Sequence, residues 1–314
     1  PLADRLELLR HVRTNLSPVF GLYDDPRGLV AAALAPAFAP DPVANAVTDD
    51  GTRQRLWRLE DPAIVSAVQA AVADCRTLIA DGHHRYAAAL AWRDELDRVK
   101  PGLPESGGHR WVLMMLLASN DPGLVIYATH RLLRAVPGLR VDDLLARLGR
   151  FFRVDPIEED VGRPTGRAWA ISRLSEHMGK STAFLLVTAE ARRIRLLTLR
   201  DDADLSAFPL PVNENLRALD VTVLHGVALE GVLGVSRASQ ERQGSLAYVR
   251  DSGEAVARTI AGEFQAAFLL NPTPMWQVQA VAEAGLTMPH KSTWFHPKIP
   301  SGLVIREVDP NGPP

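Results

Sequence analysis

Apolar and polar positions along the chain follow two periods, and each change of period marks an element. Residues 4–14 place Leu6, Leu9 and Val12 at helical spacing between charged residues, which predicts an amphipathic helix ended by Asn15 and Pro18. VFGLYDD at 19–25 predicts a strand. The Ala- and Pro-rich stretch 27–68 contains enough alternation for a strand around Leu56–Leu59, and Asp61 with Pro62 then opens a helix through Ala73. Residues 78–92, LIADGHHRYAAALAW, run from four apolar residues through Asp-Gly into an alanine-rich stretch: a strand, a tight turn and a helix start.

Beyond the loop 102–108, the apolar runs WVLMMLLA and LVIYATH flank SNDPG, which predicts a strand pair. The second run ends in Thr129, His130 and Arg131, polar residues at the strand end where open α/β sheets bind ligands. The texture changes near Val136–Gly138, where VDDLLARLGRFF begins a second unit with an amphipathic helix. Strands are expected near Ala168–Ile171, Ala183–Thr188, Ile194–Leu199 and Ala266–Leu270. Helices are expected over 219–235, from Asp251 to Thr259 and from Pro274 to Ala284. The tail LTMPHKSTWFHPKIPSGLVI crowds His290, Lys291, Ser292, Thr293, His296 and Lys298 among apolar residues and reads as a loop before a closing strand. The fold class expected is α/β (α+β), with a mixed sheet in a first domain at 1–137 and a second α+β domain at 138–314. The tail, 286–306, is expected to return to the first domain's site.

Composition narrows the function. At 314 residues and 46% hydrophobic content, the chain exceeds one typical domain and supports a normal core. A net charge of -2, from 35 basic and 37 acidic residues, argues against a nucleic-acid coat or a membrane-surface protein, so any anion site must be local. One cysteine, Cys75, rules out an intrachain disulfide and a multi-cysteine zinc site, fits a reducing cytoplasm, and reads as a buried thiol before the strand. The apolar runs at 111–118 and 29–40 are too short or too proline-punctuated to span a bilayer. A cytoplasmic protein without membrane or nucleic-acid partners is therefore expected. Pro1 in place of an initiator Met suggests a processed, trimmed or partial chain.

The unusual feature is basic charge at a helix start. A helix N-terminus already carries partial positive charge and unpaired N–H groups, so His83, His84 and Arg85 are mildly repelled there. A phosphate or carboxylate would resolve the conflict, because backbone donors, dipole and Arg85 would all point at it. The alternative is structural: His83 capping a turn, Arg85 lying in solvent, Asp81 closing an Asx-turn and His130 a satisfied strand-end histidine. Adjacent helical residues diverge by about 100 degrees, so His83 and His84 make a poor metal chelate unless His130, His290 or His296 joins them. Lys291, Ser292 and Thr293 lack the upstream glycines of a P-loop. For phosphoryl transfer every role has a candidate. Arg85, Arg131 and Lys291 supply charge; Asp81 holds Mg²⁺ or accepts a proton; His83 or His84 donates to phosphate or acts as acid/base.

Five separated stretches, ADGHHRYAAAL (80–90), DPGLVIYATHRLL (121–133), LDVTVLH (219–225), AFLLNP (267–272) and MPHKSTWFHPK with SGLVI (288–305), resemble the domain of unknown function 1015 family in order. Members of that family carry a substantial additional N-terminal segment, so the resemblance implies that this chain starts within the family's first domain. Asp81-Gly82-His83-His84-Arg85 also resembles the motif of ParB/sulfiredoxin-like proteins, including free-serine kinases that use ADP or ATP. In that superfamily the strand-turn-helix cradles nucleotide phosphates. The resemblance and the residues together imply catalytic roles for Asp81, His83 and His84. They imply phosphate or nucleotide binding by Gly82, His84, Arg85, His130, Arg131, Lys291, Ser292, Thr293 and Lys298. The function expected is a nucleotide-dependent phosphotransferase acting on a small hydroxylated metabolite, with ADP or ATP and Mg²⁺. Two alternatives are a nucleotide- or anion-binding regulatory protein without turnover, and a metal-dependent phosphohydrolase using His83, His84, His130 and His296. The partner expected is a small anionic molecule or nucleotide; the sequence sets neither a metal nor an oligomeric state.

Overall fold

A computed structural model describes residues 2–49, 51–134, 136–189, 194–241, 244–298 and 300–312. The fold is mixed α+β, and the chain divides into two compact units: residues 1–124 with 297–314, and residues 125–296. We refer to them as units one and two.

Unit one is built on a mixed three-stranded sheet. Its middle strand, Val19–Tyr23, runs antiparallel to Thr77–Asp81 and parallel to Met114–Ala118. The middle strand is buried at every position, as an apolar run covered on both faces should be. Helix Leu2–Val12 packs on helix His83–Val99 through Leu9 and Trp92, with Val308 from the tail completing the cluster. Helix Pro62–Ala73 starts as expected, with Asp61 accepting from the Ala63 N–H and Pro62 in the first turn. The strand expected around Leu56–Leu59 lies earlier, at Arg53–Leu56, paired with Ala44–Val47 in an exposed hairpin. The closing strand is only Arg306–Glu307, paired with Thr14–Asn15. Cys75 is half-buried rather than buried, and its thiol lies 3.4 Å from both the Asp24 and Ala71 carbonyl oxygens.

The two apolar runs around SNDPG do not form the strand pair that their spacing suggests. Met114–Ala118 pairs with Val19–Tyr23, and Val125–Tyr127 pairs with Trp294–His296. Turn chemistry at SNDPG specifies the reversal but not the partner of each strand.

Unit two carries a six-stranded sheet in the order Leu246–Val249, His130–Leu133, Ala266–Leu270, Ala183–Thr188, Ile194–Leu199, Phe152–Ile157, every neighbouring pair antiparallel. Alternation sorts its side chains: Phe184 and Leu186 join the core on one face, Leu185 and Val187 the core on the other. Both faces are covered, so AFLLVT is buried along its whole length. His130 and Arg131 open a strand instead of ending one, and in an antiparallel sheet the strand-end rule for open parallel sheets does not apply. Ala168–Ile171, expected as a strand, lies inside helix Pro164–Ser175, whose proline in the first turn is a helix start that the apolar spacing masked.

The segment 219–235 is helical but not uniformly α. Asp220–Val223 is α-helical, and Leu224–Val232 is a π-helix. Two glycines in it permit close packing: a Cβ on Gly226 would stand 2.6 Å from the Leu210 side chain, and one on Gly231 would clash with the Phe208 ring. Phe208 is in turn fixed edge-on to Phe151, with ring centroids 4.9 Å apart. Gly231→Ala gains about 1 kcal/mol of helix propensity but displaces Phe208. We expect a net loss of about 1–2 kcal/mol by urea unfolding, and unchanged or raised stability would show that Phe208 gives way freely.

Candidate functional site

In unit one the strand Thr77–Asp81 turns into helix His83–Val99 at a single residue. Gly82 stands at φ 92°, ψ 20°, the left-handed region that a side chain would strain. No side chain caps the helix that follows, and no acidic residue occupies its first turn. The Arg85 guanidinium folds back over the glycine: a Cβ there would meet Arg85 Nη2 at 2.8 Å and Nε at 2.9 Å. Asp81 Oδ1 accepts from the Gly82 N–H at 2.8 Å, while Oδ2 accepts from Lys298 Nζ at 2.8 Å and lies 3.9 Å from Arg85 Nη2. Burial pushes the Asp81 carboxyl up, but Lys298, the Gly82 N–H and Arg85 together outweigh it and hold the group below its ordinary value. The result is an ionised carboxylate carrying two half-exposed cations beside an uncapped helix N-terminus. His83 and His84 are exposed in the first turn.

The remaining expected residues, His130, Arg131, Lys291, Ser292 and Thr293, belong to unit two, and there Arg131 organises them. Arg131 is 1% exposed. Its Nη1 donates to the Thr129 carbonyl, its Nη2 to the Lys291 carbonyl at 2.9 Å and its Nε to His225 Nε2 at 3.1 Å. Its guanidinium carbon stands 5.4 Å from the Tyr248 ring centroid. Burial lowers Arg131 to about 10, which leaves it charged at neutral pH.

His225 accepts at Nε2, so its proton sits on Nδ1 and is donated to Gln240 Oε1; Gln240 Nε2 donates to the Val235 carbonyl at 2.8 Å. Desolvation, then the Arg131 charge, drives His225 down to about 3. His130 is also buried, accepts from the Leu270 N–H at 3.3 Å, and is driven to about 4 by the same two causes. Ser292 is buried, with its hydroxyl donating to the Pro289 carbonyl, while Lys291 is exposed with φ 57°. His225, Gln240 and Tyr248 were absent from the expected set. His225 ends the LDVTVLH stretch and was within reach of a motif argument; Gln240 and Tyr248 carry no local signal.

Asp220, half-buried and lining the same small pocket as Thr129, Arg131 and Ser292, is pushed up to about 7 by desolvation, against hydrogen bonds from the Ala183 N–H and the Thr182 hydroxyl. Among the described residues no three His, Cys, Asp or Glu side chains come together as a metal-binding set. Among them also, no helix is long and apolar enough to cross a membrane.

These shifts have opposite signs in acid. His130 and His225 bind protons in the unfolded chain below about 6.5 but resist them when folded, so their stabilisation is complete above that pH and is lost as pH falls toward 4 and 3. Asp220 holds its proton when folded up to about 7, so its stabilisation is complete below its unfolded value of 3.8 and is lost as pH rises toward 7. Asp220→Asn removes this opposing contribution. The variant is expected to lose stability on acidification from pH 6.5 to 4.5 more steeply than the wild type, by about 1.4 kcal/mol per pH unit. Equal slopes in urea titrations across that range would overturn the assignment.

A sequence profile described as "Protein of unknown function (DUF1015)" matches residues 1–222. No curated protein matches. Solved structures to which the chain is similar include a conserved hypothetical protein from Pyrococcus furiosus, at 16% identity over 98% of this chain and 87% of that one, TM-score 0.42. Another is a free serine kinase in complex with AMP, at 13% identity over 98% and 83%, TM-score 0.45. A mutant free serine kinase in complex with ADP matches at 13% identity over 98% and 84%, TM-score 0.44. With 222 of 314 residues matched by the profile, the chain belongs to the DUF1015 family.

Proposed function

We propose that unit one binds the phosphate of a nucleotide at Gly82 and that the protein is a nucleotide-dependent phosphotransferase acting on the hydroxyl of a small metabolite. One observation carries the reading. An uncapped helix N-terminus is overlain by Arg85 and flanked by Lys298, both held on one carboxylate. Two cations on one carboxylate leave an excess positive charge beside the backbone N–H groups, the electrostatics that a phosphate complements.

Each residue then has a distinct task. Gly82 lets the phosphate approach the backbone; Arg85 and Lys298 hold its oxygens and stabilise charge as the group moves. Asp81, held ionised, positions both cations and is the kind of oxygen ligand that Mg²⁺ takes together with substrate phosphates. A carboxyl held below its ordinary value is a weak base, so His83 and His84 are the acid/base candidates. In the transfer the acceptor oxygen bonds to phosphorus as the bridging P–O bond breaks, the nucleotide leaves with the electron pair, and a histidine takes the acceptor's proton. Arg131, bonded through Nε and both Nη atoms, and His130, which accepts at Nδ1 inside unit two, take structural roles in this reading.

Calorimetric titration of ADP, ATP, AMP and inorganic phosphate, with and without Mg²⁺, tests the proposal. Wild type is expected to bind ADP or ATP, with affinity reduced at least about tenfold in Arg85→Ala and in Gly82→Ala. Silence from all four probes on folded wild-type protein would remove it. Nucleotide binding with no transfer to any hydroxylated acceptor would instead select the regulatory reading.

A further inference from the structure

In the three-stranded sheet of unit one, Met114–Ala118 is an edge strand, with Val19–Tyr23 as its single neighbour among the described residues. Its sequence, MMLLA, holds no charge, and every position is at least partly exposed, Leu116 at 43%. The ladder fixes which backbone groups stay open. The Val19 N–H donates to the Leu113 carbonyl and the Ser119 N–H to the Tyr23 carbonyl, both at 2.8 Å. A parallel ladder bonds alternate residues of a strand to one neighbour. Residues 113, 115, 117 and 119 therefore face the middle strand, and Met114, Leu116 and Ala118 turn their N–H and C=O groups to the open side. The Met114 and Leu116 side chains lean inward: a Cβ on Gly21, in the middle strand, would stand 2.9 Å from Leu116 and 3.1 Å from Met114. That lean draws them off the edge.

Open edges template pairing with another chain, and proteins guard them with charge or proline. The edge strand Phe152–Ile157 in unit two is guarded in this way: Arg153 pairs with Asp155 at 2.7 Å, and Pro156 offers no donor. Met114–Ala118 has neither device. We propose that Met114–Ala118 is a dimerisation edge and that its partner is the same strand of a second copy, antiparallel about a two-fold axis through Leu116. The open groups are self-complementary. Pairing centred on Leu116 sets that residue against its own copy and Met114 against the second copy's Ala118, so each opposed pair turns open groups toward each other and exchanges two hydrogen bonds. The Ala118 carbonyl also accepts from the Asp121 N–H at 3.0 Å and receives the partner on its second lone pair. No other register opposes all three open residues. With no charge in the strand, the axis brings no like charges face to face. The edge shares no residue with the Gly82 cluster and stands independently of the phosphotransferase reading.

Sedimentation velocity of the full chain over a wide range of protein concentration is expected to show a monomer–dimer equilibrium. Amide hydrogen exchange of the same wild-type protein is expected to slow at Met114, Leu116 and Ala118 in concentrated relative to dilute samples. Leu116→Lys sets like charges across the axis and removes an apolar contact, so it should weaken the dimer at least about tenfold, and Leu116→Glu should do the same. An equimolar mixture of the two variants should associate more tightly than either alone, because the substituted charges then oppose each other with opposite sign. Far-UV circular dichroism verifies that each variant is folded, and the exchange measurement needs no variant. The proposal is overturned by a wild type that stays monomeric throughout, by a dimer that leaves exchange at 114–118 unchanged, by undiminished dimers of both variants, or by a mixture that associates no better than its components.

Discussion

Burial of the Arg131 guanidinium is the constraint around which unit two is arranged. Moving that charge from water into the interior costs several kcal/mol unless its donors are engaged. The partners come from separate parts of the chain: Thr129 beside its own strand, Lys291 in the tail loop, His225 on the π-helix and Tyr248 on the neighbouring strand. Each partner inherits a requirement. Lys291 takes a left-handed backbone conformation that offers its carbonyl, and its loop is further held by Thr273 donating to the Ser292 carbonyl at 3.2 Å. His225 must remain neutral with its proton on Nδ1, because a second donor at Nε2 would face Arg131. Gln240 enforces that tautomer, since its own amide group is oriented by the Val235 carbonyl.

Unit one handles charge in the opposite way. Asp81, Arg85 and Lys298 keep roughly a third to a half of their side-chain surface in solvent, so the cost of holding them together is small and the cluster stays accessible. What is rigid there is the backbone. Gly82 takes a conformation in which any side chain would be strained, and the Arg85 guanidinium occupies the space that a Cβ would need. A buried arginine bonded through all three of its nitrogens is suited to holding elements together; a half-exposed arginine over bare backbone is suited to meeting a ligand. That contrast separates two arginines with similar standing in the sequence.

The turn at 78–92 was legible because everything that defines it is local: apolar run, Asp-Gly, uncapped helix start. The strands Ala183–Thr188 and Ala266–Leu270 were legible because burial on both faces leaves a near-continuous apolar run; Ile194–Leu199, IRLLTL, keeps enough of that run despite Arg195 and Thr198. Pairing was not, since Met114–Ala118 and Val125–Tyr127 take partners distant in sequence. Nor was the charge of Lys298 localised to Asp81, a contact across 217 positions. Arg131 looked like a strand-end ligand because its polar character was visible and its burial was not. Burial depends on the six-stranded sheet, which no single stretch encodes.

The π-helix marks a finer limit. Val223, Val227 and Leu233 fit an α-helix well enough to hide it, yet Gly226 and Gly231 do not. At about 100 degrees per residue, positions five apart on an α-helix point about 140 degrees away from each other, and one short stretch of chain could not lie over both. A π-helix, bonded between residues five apart, brings them back toward one face, where Leu210 and Phe208 meet them in turn. The glycines allow the close approach of Leu210 and Phe208, and His225 on the same helix accepts from Arg131 Nε. The helix, the loop over it and the buried arginine therefore require one another, and the spacing of two glycines is the trace that this dependence leaves in the sequence.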